Sequence, residues 1–181
     1  MLKRVAFLAL VTLTLTALAC AQKDKSQRPS PPAQAKCQLA AGQTITVDYS
    51  SPRMKGRKIF GDLVPFGEVW RTGANEATTF VTTANLSVGG TSVPAGNYTI
   101  FTVPNQGKWT LIINKKTGEW GIPYKYESDE LGRVDMKVGS SSAPVENFTI
   151  AFDQAGGGCT LNISWENTKA SVQVAEAKSG Y

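Results

Sequence analysis

The sequence predicts an all-β fold, an antiparallel β-sandwich or jelly-roll-like arrangement of about eight strands. Short apolar runs alternate with polar residues at a period of about two, which is the pattern of a strand with one buried face. Turn sequences separate these runs, and no segment beyond the N-terminal region shows sustained helical spacing of apolar residues. The spacing favours a sandwich or jelly roll over a closed barrel but does not distinguish them.

The predicted strands follow one another along the chain, with Thr common on the faces opposite their apolar residues. Their apolar positions are Ile45, Val47 and Tyr49; Phe80 with Val81 beside it; Tyr98, Ile100 and Phe101 to Val103; Trp109, Leu111 and Ile113; Val134, Met136 and Val138; Phe148, Ile150 and Phe152; Cys159, Leu161, Ile163 and Trp165; and Val172 and Val174. The turns between them are predicted at Gly89-Gly90, Pro94 to Asn97, Pro104 to Gly107, Thr117-Gly118 and Gly156 to Gly158.

Residues 1–21 have the features of a secretory signal peptide. A basic N-terminal region precedes an apolar run over residues 5–19, which is shorter than a transmembrane helix needs. Ala19-Cys20-Ala21 is a small-residue cleavage site that would place the mature start at Gln22. Cys20 also allows a lipoprotein interpretation, although Ala17 stands where that motif usually has a large aliphatic residue. We expect an exported protein, periplasmic or secreted, with a lipid-anchored form as the alternative and membrane contact only through a lipid on Cys20.

Cleavage or lipidation of Cys20 leaves Cys37 and Cys159 as the two thiols of the folded part. An even pair in an oxidising compartment predicts a disulfide. This bond would close a loop of about 120 residues, for which chain-entropy models give roughly 4–5 kcal/mol of stabilisation. Cys159 is separated from Leu161 and Ile163 by even numbers of residues and so lies on the same face of the predicted strand, which is expected to point inward. Two separate buried thiols are the alternative.

The predicted organisation is one domain between two flexible segments. Residues 22–36 are polar and contain three prolines, which predicts a flexible linker. Residues 37–175 form the predicted β-sandwich domain, and residues 176–181 a disordered tail. The formal net charge of +5 becomes +3 (17 basic minus 14 acidic residues) when Lys3 and Arg4 leave with the signal. So small an excess gives no reason to expect a nucleic-acid partner.

The sequence contains no His. Ser-His and Cys-His hydrolysis are therefore excluded, as are the common His-containing sites for zinc, copper and iron. The acidic residues Glu127, Asp129 and Glu130 lack the ligand spacing of a calcium loop and indicate a solvated turn. We predict no catalytic residues of these kinds, no cofactor and no metal site.

The long irregular segment 51–80 is where the sequence places a functional site, because a long loop in a small domain is often functional. Its mixture of Gly, Pro and charged residues predicts a segment that is too irregular to belong to the core. Glu68 and Glu76 could provide the two carboxylates of a glycan hydrolase. The favoured interpretation is that they form ion pairs with Arg57 and Arg71 and hold the segment in shape.

Two further groups suit a binding module. Trp120, Tyr124 and Tyr126 lie in a turn-rich segment where they could stack on a sugar or peptide, or could instead cover the end of the sandwich. The basic group around Arg57 could receive an anion such as phosphate or a sugar acid, or could be a solvated loop. That group comprises Arg53, Lys55, Arg57 and Lys58.

Four segments together resemble a bacterial exported family: YSSPRMKGRKIFGDLVPFGEVWRTGANEATTF, VPAGNYTIFTVPN, KWTLIINKKTGEWG and LNISWENTKASV. The family is the domain of unknown function numbered 2911, and the resemblance covers nearly all of residues 37–174. It implies an exported β-sandwich-like domain and no assigned activity. The family's recurring polar residues correspond to Arg57, Glu68, Arg71, Asn75 and Glu76, which we take as ligand-binding candidates.

The function expected from the sequence is therefore that of a non-enzymatic exported module. Its partner would be a small molecule, a glycan or an envelope protein, bound through the segment from Arg57 to Glu76. A carboxylate-dependent hydrolase acting on glycans and a purely structural envelope protein are the alternatives. Whether the protein is an enzyme is left open, with a non-enzymatic role favoured.

Overall fold

The structure, a computed structural model, describes residues 24–177. Within that range there is no α-helix, and no helix is long and apolar enough to cross a membrane. Short 3-10 helices lie at Lys25–Gln27, Ala40–Gly42 and Glu127–Asp129. The strands are β1 (Pro32–Gln38), β2 (Thr44–Ser50), β3 (Thr79–Thr82), β4 (Leu86–Val88), β5 (Thr91–Val93), β6 (Gly96–Val103), β7 (Trp109–Asn114), β8 (Glu130–Ala155) and β9 (Gly158–Glu176).

The nine strands form one antiparallel sheet in the order β1-β2-β3-β6-β7-β8-β9-β4-β5. The sheet is open, with β1 and β5 at its edges. Turns connect neighbouring strands where Gly and Pro predicted them; for example, Gly156 and Gly157 join β8 to β9 with φ angles of 45° and 86°. The predicted all-β antiparallel fold is confirmed.

The two longest strands, β8 and β9, bend the sheet back on itself. Their pairing shifts register between Ser140 and Val145 and again before Thr149, and such irregularities bend a strand. As a result, β2 packs against the second half of β8, which is not its neighbour in the sheet. The ring of Tyr49 on β2 meets Phe148 edge-on at 5.6 Å, and the Tyr49 hydroxyl accepts a hydrogen bond from the Ile150 N–H at 3.1 Å. The architecture is therefore sandwich-like.

An aromatic cluster fills the centre between the layers. Trp109 of β7 and Trp165 of β9 are almost fully buried, as their alternating positions predict. The Trp70 ring stacks on Trp165 at a centroid distance of 6.0 Å, and Phe60 meets Trp109 edge-on at 4.8 Å. Aromatic pairs in these geometries contribute about 0.5–1.5 kcal/mol each beyond the area that they bury.

Two members of that cluster come from the irregular segment, which we call the 51–78 loop. The expectation that this segment lies outside the core is wrong for four of its apolar residues, because Ile59, Phe60, Val64 and Trp70 are buried. Trp70 also exchanges two backbone hydrogen bonds with Thr102 of β6, at 2.7 and 2.9 Å. A loop without strand periodicity can still bury side chains wherever its backbone is hydrogen-bonded to the sheet.

The predicted linker at residues 22–36 differs from the structure. Residues 32–36 belong to β1, which pairs along its whole length with β2, and Lys25–Gln27 forms a 3-10 helix. At the other end of the predicted domain, β9 ends at Glu176. The predicted signal peptide, Cys20 and the last four residues of the predicted tail lie outside the described residues.

The predicted disulfide is confirmed. Cys37 of β1 is bonded to Cys159 of β9, with a Cα–Cα distance of 6.4 Å and a sequence separation of 122. Both residues are buried. The bond joins an edge strand to a strand of the opposite layer, and it is what an oxidising compartment permits.

Candidate functional site

A cavity of about 270 Å³ opens between the 51–78 loop and a second loop, residues 115–126. Trp70 and Trp165 of the aromatic cluster contribute buried walls, and aliphatic side chains contribute most of the rest. Glu68 and Arg71 are the two charged residues in the lining. The lining residues are Leu63, Val64, Pro65, Glu68, Val69, Trp70, Arg71, Ile122 and Trp165.

Arg71 is half-buried beside this cavity and is held in place by Trp120. Its Cζ lies 5.0 Å from the centroid of the Trp120 ring, a cation–π arrangement. Its Nη1 donates to the Trp120 carbonyl oxygen at 3.4 Å. Partial burial lowers the pKa of Arg71, and the nearby charge of Glu76 offsets part of this effect. Arg71 forms no salt bridge with any carboxylate of residues 24–177.

The two loops that border the cavity are packed directly on each other. The Ala77 N–H donates to the Glu119 carbonyl oxygen at 3.1 Å. Gly121 is buried at this contact with a φ of 87°, and a Cβ there would lie 2.9 Å from the Ala77 Cβ and 3.2 Å from the Arg71 Cβ. Only Gly combines this φ with so close an approach. The position of Ile122 and Trp120 relative to Arg71 is therefore set by backbone packing.

Glu68 and Glu76 do not share a cleft. Glu68 is exposed and lines the 270 Å³ cavity, whereas Glu76 lines a separate cavity of about 170 Å³ with Lys25, Asp48 and Tyr49 among its neighbours. The pair of facing carboxylates that a glycan hydrolase needs is not assembled here.

The predicted ion pairs of these carboxylates with Arg57 and Arg71 are also wrong. Glu76 instead pairs with Arg28 at 2.7 Å and Lys25 at 3.3 Å, both in the segment predicted to be a flexible linker. The hydrogen bond from Arg28 is the largest cause that lowers the pKa of Glu76 to about 2 from its usual 4.5. Glu68 has no salt-bridge partner within residues 24–177.

Asn75 and Arg57 stabilise the chain's own backbone. Asn75 has a φ of 58°, a left-handed conformation that Asn tolerates. Its side-chain amide donates to the Ser30 carbonyl oxygen at 3.0 Å. The Arg57 guanidinium folds back on its own loop and donates to the carbonyl oxygens of Met54 and Arg53 at 3.0 and 2.6 Å. Of the five candidates, only Glu68 and Arg71 line the main cavity.

The three predicted aromatic residues divide into two roles. Tyr124 and Tyr126 pack on Phe101 at 4.8 and 6.1 Å and cover a small second core on the sheet. Burial is the main cause that raises the pKa of Tyr124, whose hydroxyl also donates to Glu130 at 2.6 Å. Trp120 remains 54% exposed, so it alone is accessible for stacking. Within the described part of the chain, no group of three or more Cys, Asp or Glu residues is placed to hold a metal ion.

Sequence reasoning selected Trp120 but missed the other exposed apolar residues of the site. Leu63, Phe66, Trp120 and Ile122 are the exposed large hydrophobic residues found among residues 24–177. All four lie on the two loops that border the cavity, and Leu63 and Ile122 are part of its lining. The available signal was the occurrence of large apolar residues in turn-rich, non-periodic sequence, GDLVPFG and GEWGIP.

The fold and this site define a disulfide-bonded all-β domain with a loop-bordered cavity. A comparison with protein-family models matches residues 30–174 to the family described as "Protein of unknown function (DUF2911)". The chain belongs to this family, as its sequence motifs predicted. Comparisons with curated proteins and with solved structures each found no match.

Proposed function

We propose that the protein is an exported binding module that takes a small ligand in the cavity between the 51–78 and 115–126 loops. The observation that carries this proposal is the concentration of the exposed large hydrophobic residues of the described chain around one cavity. Exposed apolar side chains that cluster beside a cavity are typical of a binding site, whereas scattered ones need no explanation.

The construction of the cavity supports the same proposal. Its buried walls come from Trp70 and Trp165, which are fixed by the aromatic cluster, and the loop contact at Gly121 fixes the opposite side. A preformed site loses little conformational entropy on binding. The volume of about 270 Å³ is just below the usual range for ligand pockets, about 300–1,000 Å³, so we expect a small ligand.

The export part of the proposal is supported by the disulfide, because structural disulfides persist in oxidising compartments. The predicted signal peptide at residues 1–21 supports it from the sequence. Whether Cys20 carries a lipid does not alter the proposed binding, since the cavity is formed by residues far along the chain.

The test is a thermal-shift screen of the purified protein. The probes are glucose, glucuronate, inorganic phosphate, hexanoate, phenylacetate and a neutral tripeptide, each measured with the unmodified protein and with Leu63→Asp and Ile122→Asp. A probe present at about 100 times its Kd should stabilise the folded protein by roughly 2.7 kcal/mol. Lys137→Ala, at a separate cavity of about 170 Å³, is the matched control.

We expect at least one probe to raise the unfolding midpoint, with the effect abolished by both Asp variants and retained by Lys137→Ala. A shift that survives both Asp substitutions would place binding elsewhere and overturn the proposed site. If no probe shifts the midpoint, the small-ligand role is rejected in favour of a structural one.

A further inference from the structure

The charge of the ligand can be inferred from the state of Arg71, and this inference rests on the proposed function. A guanidinium carries five N–H donors. Within the described structure, Arg71 uses one of them in a long hydrogen bond to the Trp120 carbonyl oxygen, at 3.4 Å. It has no carboxylate partner among residues 24–177.

The half-buried arginines of the described chain have different partners. Of the other half-buried arginines in the described chain, Arg28 pairs with Glu76 at 2.7 Å, and Arg53 donates to the Ser51 hydroxyl at 2.9 Å. Arg71 is instead stacked on Trp120, which fixes the plane of the guanidinium but supplies no negative charge. Partial desolvation, which also lowers the pKa of Arg71, makes an anionic partner more favourable here than at a fully solvated arginine.

The remainder of the cavity specifies the body of the ligand. Leu63, Val64, Pro65, Val69 and Ile122 contribute aliphatic surface, and Trp70 and Trp165 contribute aromatic surface. Apart from Glu68 and Arg71, none of the lining side chains is charged or carries an amide or hydroxyl group. The many hydroxyl groups of a sugar would therefore lose hydration without gaining enough partners.

We infer that the cavity binds a small organic carboxylate with an apolar body, whose carboxylate pairs with Arg71 and whose apolar part packs against the aliphatic walls. Arg forms planar, two-point hydrogen bonds with carboxylates, which gives the site orientation as well as affinity. At about 30 Å³ per water-sized group, the cavity holds on the order of nine such groups, about the size of a six- to eight-carbon acid.

The experiment compares ligands that differ only in charge. Hexanoate, hexanol and hexylamine share a body of equal length and are negative, neutral and positive at pH 7. Binding of each is measured by calorimetric titration of the purified protein. Glucuronate supplies a carboxylate without an apolar body, and inorganic phosphate supplies an anion alone. The variants are Arg71→Gln, Arg71→Lys and Glu68→Gln.

We expect hexanoate to bind about tenfold more tightly than hexanol, or better, because a hydrogen bond to a charged group is stronger than one to a neutral group. Arg71→Gln should make the two affinities equal, and Arg71→Lys should restore part of the difference. Glu68→Gln should leave hexanoate binding intact or strengthen it, since it removes a like charge from the same cavity. Glucuronate and phosphate should bind at least tenfold more weakly than hexanoate.

The outcomes separate this inference from the proposed function. Equal binding of hexanoate and hexanol by the unmodified protein would overturn the anion preference while leaving the cavity as a binding site. Preference for hexylamine would overturn it in favour of Glu68 as the dominant charge. Glucuronate binding as tightly as hexanoate would overturn the need for an apolar body. If hexanoate, hexanol and hexylamine all fail to bind, this inference is overturned, whereas the proposed function fails only if every probe of the thermal-shift screen fails as well. The comparison of ligands on the unmodified protein does not depend on whether any variant folds.

Discussion

At the scale of single residues, the polar residues of the 51–78 loop perform different tasks although they are close in sequence. Glu76 is bound by Arg28 and Lys25, and Asn75 binds the Ser30 carbonyl oxygen. These contacts fasten the N-terminal segment to the loop. Arg71, four residues before Asn75, faces the cavity with no such partner. The residues that stabilise the loop and the residues that we assign to binding can therefore be tested separately.

The ion pairs of Glu76 predict a defined dependence of stability on pH. Because the pKa of Glu76 is about 2 in the folded protein and 4.5 without these partners, the ionised form favours folding. Its contribution is complete above about pH 4.5 and is lost as the pH falls toward about 2. Since the pair is partly exposed to solvent, we expect Glu76→Gln to cost only about 0.5–1 kcal/mol at pH 7.

The measurement is the free energy of unfolding by urea, at pH values between 7 and 2 for the unmodified protein and for Glu76→Gln. The unfolding free energies of the unmodified protein and of Glu76→Gln should differ at pH 7 and become equal near pH 2. Glu68→Gln is the matched control, because Glu68 has no salt bridge within the described chain, and it should change stability little at any pH. A difference between the unmodified protein and Glu76→Gln that stays constant down to pH 2 would contradict the ion-pair explanation.

The candidate site was only partly predictable from the sequence, for a physical reason. Charged residues in a loop stand out, so Glu68 and Arg71 could be selected in advance. The sequence could not show which apolar residues of the loop are exposed and which are buried, because a loop has no period that assigns a face to each position. Leu63 is exposed while its neighbour Val64 is buried, and only the path of the folded backbone decides between them.

At the scale of elements, the contact between the two loops is the feature on which the cavity depends. Gly121 lies against Ala77, Phe101 and Arg71, and a Cβ at position 121 would lie within 3.2 Å of each. We expect Gly121→Ala to destabilise the protein by about 1–3 kcal/mol through overpacking, in addition to the strain of a positive φ. It should also weaken ligand binding, since the loop that carries Ile122 has to move.

Gly118→Ala is the control for the backbone strain alone. Gly118 lies in the same loop with a φ of 79°, close to the 87° of Gly121, but a Cβ there would meet nothing within 4 Å. The difference between the two variants in unfolding free energy, measured with urea, then gives the destabilisation caused by the close packing at position 121. If Gly118→Ala is as destabilising as Gly121→Ala, the packing explanation is wrong and backbone strain accounts for the loss.

The strands differ in how well they could be predicted. Central strand β7 has large apolar residues at alternate positions in the main core, Trp109, Leu111 and Ile113, and its other face buries Ile112 in the second core cluster. In β1, by contrast, the residues Pro32 to Lys36 are small or polar, which is why the sequence predicts a linker up to residue 36. β1 is an edge strand that pairs only with β2 in the sheet, so few of its positions need to be large and apolar. Pairing with a neighbour, which the local sequence does not show, is what makes it a strand.

At the scale of the whole molecule, the disulfide holds together two parts of the sheet that are far apart in strand order. β1 is the first strand and β9 is the seventh in the order of the sheet, and the bond between Cys37 and Cys159 crosses from one layer to the other. The same edge strand continues from the N-terminal segment that pairs with Glu76. Loss of the disulfide therefore weakens the attachment of the whole N-terminal part to the rest of the fold.

We expect the double variant Cys37→Ala and Cys159→Ala to lose about 2–5 kcal/mol of unfolding free energy, because the bond closes a loop of 122 residues in the unfolded chain. Urea unfolding of the oxidised protein and of the double variant measures this difference. The control is reduction: a thiol reductant, with free thiols counted to confirm the reaction, should lower the midpoint of the unmodified protein toward that of the variant and leave the variant unchanged. Equal midpoints for the oxidised and reduced protein would show that the sheet is held by packing alone, since Cys37 and Cys159 would then be two buried side chains whose bond adds nothing.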